Sequence, residues 1–157
     1  MRRLAALLAA LALVVLPRAA AAQLRATKVL SLAGARAALE AAHDEAFKRG
    51  WAVSIMVVDA AGEPVAFARM DGAPYSSVTV SRDKARSAAR FRRPTKALSD
   101  AIAEGRTGIL ALDGAVPVEG GVPIVVDGQV VGAVGVSGMT SQQDAQLAQV
   151  GASAVKP

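Results

Sequence analysis

The chain has 157 residues, with 18 basic and 13 acidic side chains for a formal charge of +5, one histidine and no cysteine. The missing thiols exclude disulfides, thiolate metal sites and a lipid-modified cysteine, and one histidine leaves no His-pair zinc site. Paired carboxylates for acid–base catalysis are not evident either, because Asp59, Glu63 and Asp71 are scattered around turns.

Arg2 and Arg3 precede an apolar run of thirteen residues, Leu4 to Leu16. Pro17 and Arg18 break it, and Ala20-Ala21-Ala22 makes a small-residue cleavage site before Gln23. This is the pattern of a secretory signal peptide over residues 1–22, too short for a retained span of roughly 20 apolar residues. The expectation is a periplasmic or secreted protein with no membrane anchoring after cleavage. Arg2, Arg3 and Arg18 leave with the leader and no acid does, so 18 basic against 13 acidic becomes 15 against 13. That near balance, with one Trp, one Tyr and three Phe, argues against nucleic acid as a partner. Residues 23–157 fit a single domain, and a core of Ala, Val and Gly makes oligomerisation a natural source of extra stability.

Ser31 is placed to cap a helix that runs to Arg49 and stops at Gly50. Leu32, Ala35, Leu39, Ala42, Ala46 and Phe47 share one side of it, and His43 falls on that same side. Alternation over Val53–Val58 and Val65–Met70, around the turn Asp59-Ala60-Ala61-Gly62, reads as a hairpin, with Pro64 at a strand start or edge. Helices follow over about Ser76–Phe91 and Thr95–Glu104, separated by Pro94. After a less regular stretch, two strands flank Asp127-Gly128, a dipeptide suited to a type I′ turn, and a helix over Ser141–Ala154 closes the chain. Hairpins between helices define an α+β fold with an antiparallel sheet, not a doubly wound parallel one.

The stretch from Gly120 to Gly138 is rich in glycine and β-branched residues. Alternation puts Val131, Ala133, Gly135 and Ser137 on one face of its second strand, and Val130, Gly132, Val134 and Val136 on the other. Glycine weakens a strand, so Gly132 and Gly135 imply close approach by a helix, another subunit or a ligand. Gly120-Gly121 and Ser137-Gly138 lie at the end opposite the turn, as neighbouring amide-rich loops suited to rim an anion site.

The segments "VVDAAGEPVAFARMDGAP", "KARSAARFRRPT" and "GGVPIVVDGQVVGAVGVSGMTSQQDAQLAQVGASAV" together resemble the GlcG/HbpS-like family, described as haem-binding or haem-degrading. The resemblance runs from about Leu30 to Val155. It implies a profilin-like domain, a central antiparallel sheet of about five strands flanked by helices, and assembly into homo-oligomers. It implies haem as cofactor, with a role in haem or iron handling or in redox sensing and with weak haem degradation as a secondary activity. Matching motifs mark Arg69, Asp71, Gly72, Lys84, Thr95, Gly120, Gly121, Pro123, Ser137, Gly138 and Asp144 as ligand-binding candidates. Glu63 stands where many relatives carry His or Asn, so that turn offers no histidine ligand here.

His43 is the candidate haem-iron ligand, since a neutral imidazole on a helix face can be aimed at a cleft. A buried histidine bonded to a backbone carbonyl explains the same pattern. Met56, Met70, Met139, Tyr75 and Lys84 are the other donors. Arg82, Arg86 and Arg90, four apart with Arg93 near, could meet haem propionates or form a solvated helix face. Ser137 has Gly135 before it but Met139 where a hydrolase elbow needs glycine. Three readings follow: an exported haem-binding protein; an enzyme or carrier for a small organic acid held by Arg69, Lys84 and the glycine loops; or an assembly module with no ligand.

Overall fold

The computed structural model describes residues 26–157, and the leader expected over residues 1–22 lies outside them. The elements run α1 (Leu32–Arg49), β1 (Ser54–Asp59), β2 (Pro64–Arg69), α2 (Ser77–Phe91), α3 (Thr95–Ala103), a 3-10 turn (Thr107–Ala111), β3 (Gly121–Val126), β4 (Gln129–Ser137) and α4 (Ser141–Ala154). The strands form one antiparallel sheet in the order β2-β1-β4-β3. No helix among the described residues is long and apolar enough to cross a membrane.

The sheet has four strands where about five were expected. The stretch between the 3-10 turn and β3 contains Gly114, Pro117 and a bend, and adds no fifth strand. A second difference concerns the faces of β4. Val125 pairs with Val130 and Ile124 with Gly132, so Val131 is an extra, unpaired residue. This bulge turns Val131 toward the α1 side, where it joins the core with Val134 and Val136 instead of sharing a face with Ala133.

Two layers of helix cover the sheet. On one side, α1 and α4 pack over Ile55, Val57, Val134 and Val136. Ala35, Ala38, Ala42 and Ala46 form the buried seam of α1, and small residues let the helices touch: a methyl on Gly151 would lie 2.7 Å from the carbonyl oxygen of Ala38. On the other side α2 crosses the sheet, with Ala85, Ala88 and Ala89 against Met56, Val58 and Ala133, and the start of α3 touches β3. Here the backbone of β4 meets the helix directly, because a methyl on Gly135 would stand 2.1 Å from the Ser81 carbonyl oxygen. Gly135 is therefore a helix-packing residue.

Local chemistry explains the ends of the elements. Ser31 accepts a hydrogen bond from the amide of Gly34, and the chain leaves α1 through Gly50 at φ 66°. The hairpin turn takes positive φ at both Asp127 (48°) and Gly128 (75°), as a type I′ turn requires. Thr140 and Gln143 form a reciprocal capping box at the start of α4.

Candidate functional site

Lys84 and Asp144 meet across the sheet end at 2.8 Å, with both side chains 2 % exposed. Lys84 reaches from the middle of α2 and also donates to the carbonyl of Val136 at 3.1 Å. Asp144 comes from the first turn of α4, and its other carboxylate oxygen accepts from the amide of Met139 at 3.0 Å. Burial lifts the Asp144 carboxyl above the ordinary carboxylate range, while the Lys84 ammonium and the amides of Met139 and Gly138 pull it back down. The pair thus ties α2, β4 and α4 together where the sheet ends.

The two glycine loops are neighbours, as their positions in the hairpin implied, but they close over this pair. A methyl on Gly120 would lie 2.7 Å from the Lys84 ammonium nitrogen and 2.9 Å from the Val136 carbonyl oxygen. A methyl on Gly121 would lie 2.3 Å from the Lys84 carbonyl oxygen. Thr95, fully buried at the start of α3, accepts from the Gly121 amide at 2.9 Å. Ser137 is buried at the end of β4, and Gly138 packs on the backbone of Ala52 and Val53. Seven of the twelve candidates, Lys84, Thr95, Gly120, Gly121, Ser137, Gly138 and Asp144, therefore lie in one polar node. An acid bound there would have to displace Asp144 from Lys84.

The remaining candidates lie elsewhere. Arg69, at the exposed end of β2, stacks over the Tyr75 ring at 4.5 Å. Asp71 borders a shallow hollow of about 200 Å³ with Phe47, Trp51 and Met70, and Gly72 turns the loop beside it at φ 81°. Pro123 lies on β3 at the sheet edge and lines a groove of about 520 Å³. His43 lies on α1, on the opposite side of the sheet from α2, with its side chain 42 % exposed. Its Nδ1 is 3.6 Å from Asp44, beyond hydrogen-bonding distance. The arginine stripe of α2 is engaged by carboxylates at two points, Arg82 with Asp83 at 3.0 Å and Arg86 with Glu63 at 3.5 Å.

Among the alternative iron donors, Lys84 and Met56 are buried, Met70 is partly buried, and Tyr75 and Met139 are exposed. Among the described residues no group of three or more His, Asp or Glu side chains is placed to hold a metal ion. Two features escaped the sequence reading. Lys84 and Asp144 were both singled out, but as ligand groups and not as partners of each other. Arg92, a non-glycine residue in the left-handed region at φ 53°, was not singled out, although "FRRP" lacks the glycine that usually ends a helix.

The architecture is that of a profilin-like α+β domain: a four-stranded antiparallel sheet flanked by helices and pinned at one end by a buried ion pair. Residues 30–153 match the family model described as "Haem degrading protein HbpS-like", and the chain belongs to that family. It is 44% identical over 109 residues to Protein GlcG of Escherichia coli K12, covering 69% of this chain and 81% of GlcG. A double variant of HbpS from Streptomyces reticuli superposes with a TM-score of 0.77 at 31% identity, over 96% of this chain and 97% of that one. The PduOC:haem complex superposes with a TM-score of 0.74 at 27% identity, over 82% of this chain and 96% of that one.

Proposed function

We propose that the protein is an exported, homo-oligomeric haem-binding protein that handles haem or iron or senses redox state, with slow haem degradation as a secondary activity. His43 carries the reading. It is the chain's one imidazole, it is half-exposed on a fixed helix, and Leu39 and Phe47 flank it one turn away on either side. Phe47 is 74 % exposed, so an apolar surface lies open beside the donor nitrogen. That donor set fits a flat apolar macrocycle carrying iron. When bound, haem would supply the redox and oxygen chemistry, and His43 would hold its iron through a ring nitrogen. His43 stands on an open helix face, which is why the proposal includes assembly: a second copy supplies the other wall. Membership of a family described by haem degradation, and likeness to a protein solved with haem, support the same ligand.

The test is a haemin titration of residues 23–157, followed by Soret absorption beside His43→Ala. A saturable, shifted band lost in the variant is expected. A band retained in both moves the donor to Tyr75 or Met139, the exposed alternatives. No saturable band at micromolar protein overturns haem binding. The export component is checked by the mass of protein recovered from the periplasmic fraction, expected to begin at Gln23.

A further inference from the structure

A groove runs along the outer edge of β3, between that strand, the last turn of α4 and the junction of α2 with α3. Its volume of about 520 Å³ lies within the range of small-molecule sites. The floor is apolar, with Val122, Pro123, Val125 and Ala152 among its residues, and Val125 is 55 % exposed. Arg92 and Lys156 are the charged residues that line it, and no acidic side chain does. Among the described residues neither cation makes an ion pair.

Arg92 stands in an unusual conformation for what it is. It caps α2 in the left-handed region, at φ 53° and ψ 39°, where a glycine would sit without strain. A non-glycine residue held there costs on the order of 1 kcal/mol, and such residues collect where a side chain has work to do. The guanidinium is exposed and borders the groove.

The edge of β3 is also poorly suited to accept another strand. The amide of Val136 donates to Gly120, so by alternation the outward positions are Gly121, Pro123 and Val125. The Gly121 amide is already taken by Thr95, and Pro123 has no N–H. Two consecutive ladder donors are therefore missing, which favours a small occupant over a strand from a second copy.

We infer that this groove binds an amphipathic monocarboxylate, with the carboxylate on Arg92 and Lys156 and an aliphatic body along Val122 and Val125. The site is separate from His43 and from the proposed haem function, and neither result bears on the other. The experiment is an octanoate titration of ¹⁵N-labelled protein, residues 23–157, read by amide shifts, with octanol as the uncharged control. Saturable shifts confined to Val125, Ser153 and the residues around Arg92 are expected. Arg92→Gly should weaken octanoate binding about tenfold, because it removes a bidentate, charge-assisted contact while easing the backbone. Arg92→Lys, which keeps the charge but not the fork, should bind between the parent and Arg92→Gly, and Arg92→Gly should melt no lower than the parent. The inference is overturned if no saturable shift occurs, if octanol binds as well as octanoate, or if Arg92→Gly binds like the parent. It is also overturned if the same amides shift on dilution without ligand, which would assign the groove to a second copy.

Discussion

Replacing Lys84 by Met tests whether the buried node holds the fold or waits for a ligand. Methionine keeps most of the length and apolar stem but leaves the Asp144 carboxylate buried without its ammonium and the Val136 carbonyl without its donor. Both partners are 2 % exposed, so water cannot compensate in place. Breaking a buried pair from one side costs about 3–5 kcal/mol. With a urea slope of about 2 kcal/mol per molar for a domain of this size, the midpoint should fall by roughly 1.5–2.5 M. Trp51, the chain's one tryptophan and packed against the core, reports the transition by fluorescence at fixed protein concentration. The double variant Lys84→Met/Asp144→Asn should recover at least about 2 kcal/mol of that loss. It no longer buries a lone charge, and the asparagine oxygen can still accept from Met139. A loss under about 1 kcal/mol in the single variant, or a double variant as unstable as the two single losses summed, would refute the structural role.

The same pair sets a pH dependence. Burial raises the Asp144 carboxyl above its unfolded value of 3.8, so the folded state holds that proton more tightly. The stabilising contribution is therefore full below the unfolded value and is lost as pH rises through the raised one. Removing the ammonium raises the carboxyl further, so the gap in urea midpoint between the parent and Lys84→Met should widen as pH rises above the unfolded carboxyl value of 3.8; a constant gap would contradict this assignment. Gly135→Ala should cost about 3 kcal/mol or more, read as a melting temperature lower by at least ~8 °C, since its methyl would stand 2.1 Å from the Ser81 carbonyl oxygen. Gly50→Ala meets nothing within 4 Å and carries only the left-handed strain, so it should cost about 1 kcal/mol. If the two substitutions prove equal, contact between β4 and α2 is not the reason for the glycine.

Short-range chemistry was legible in the residues themselves. Ser31 and Gly50 bound α1 because a cap and a left-handed exit act over one turn, and Asp127-Gly128 specifies its own hairpin. The α+β class followed from the order of periodicities, since each period reports only neighbours on the same element. The sequence could not show what depends on partners far along the chain. Lys84 and Asp144 are 60 positions apart, and they pair only because α2 crosses the end of β4 where α4 begins. Val131 changes face because β3 skips it, a register event that alternation within one strand cannot reveal. Close approach at Gly135 was readable as a requirement, but its cause, a helix and not a ligand, was decided by packing. His43 shows the same division. Periodicity put it beside Leu39 and Phe47, but only the fold decided that the buried seam runs through Ala38, Ala42 and Ala46 and leaves the imidazole half in solvent. Local sequence sets the conformations a segment prefers, whereas burial is a property of what the other segments bring against it.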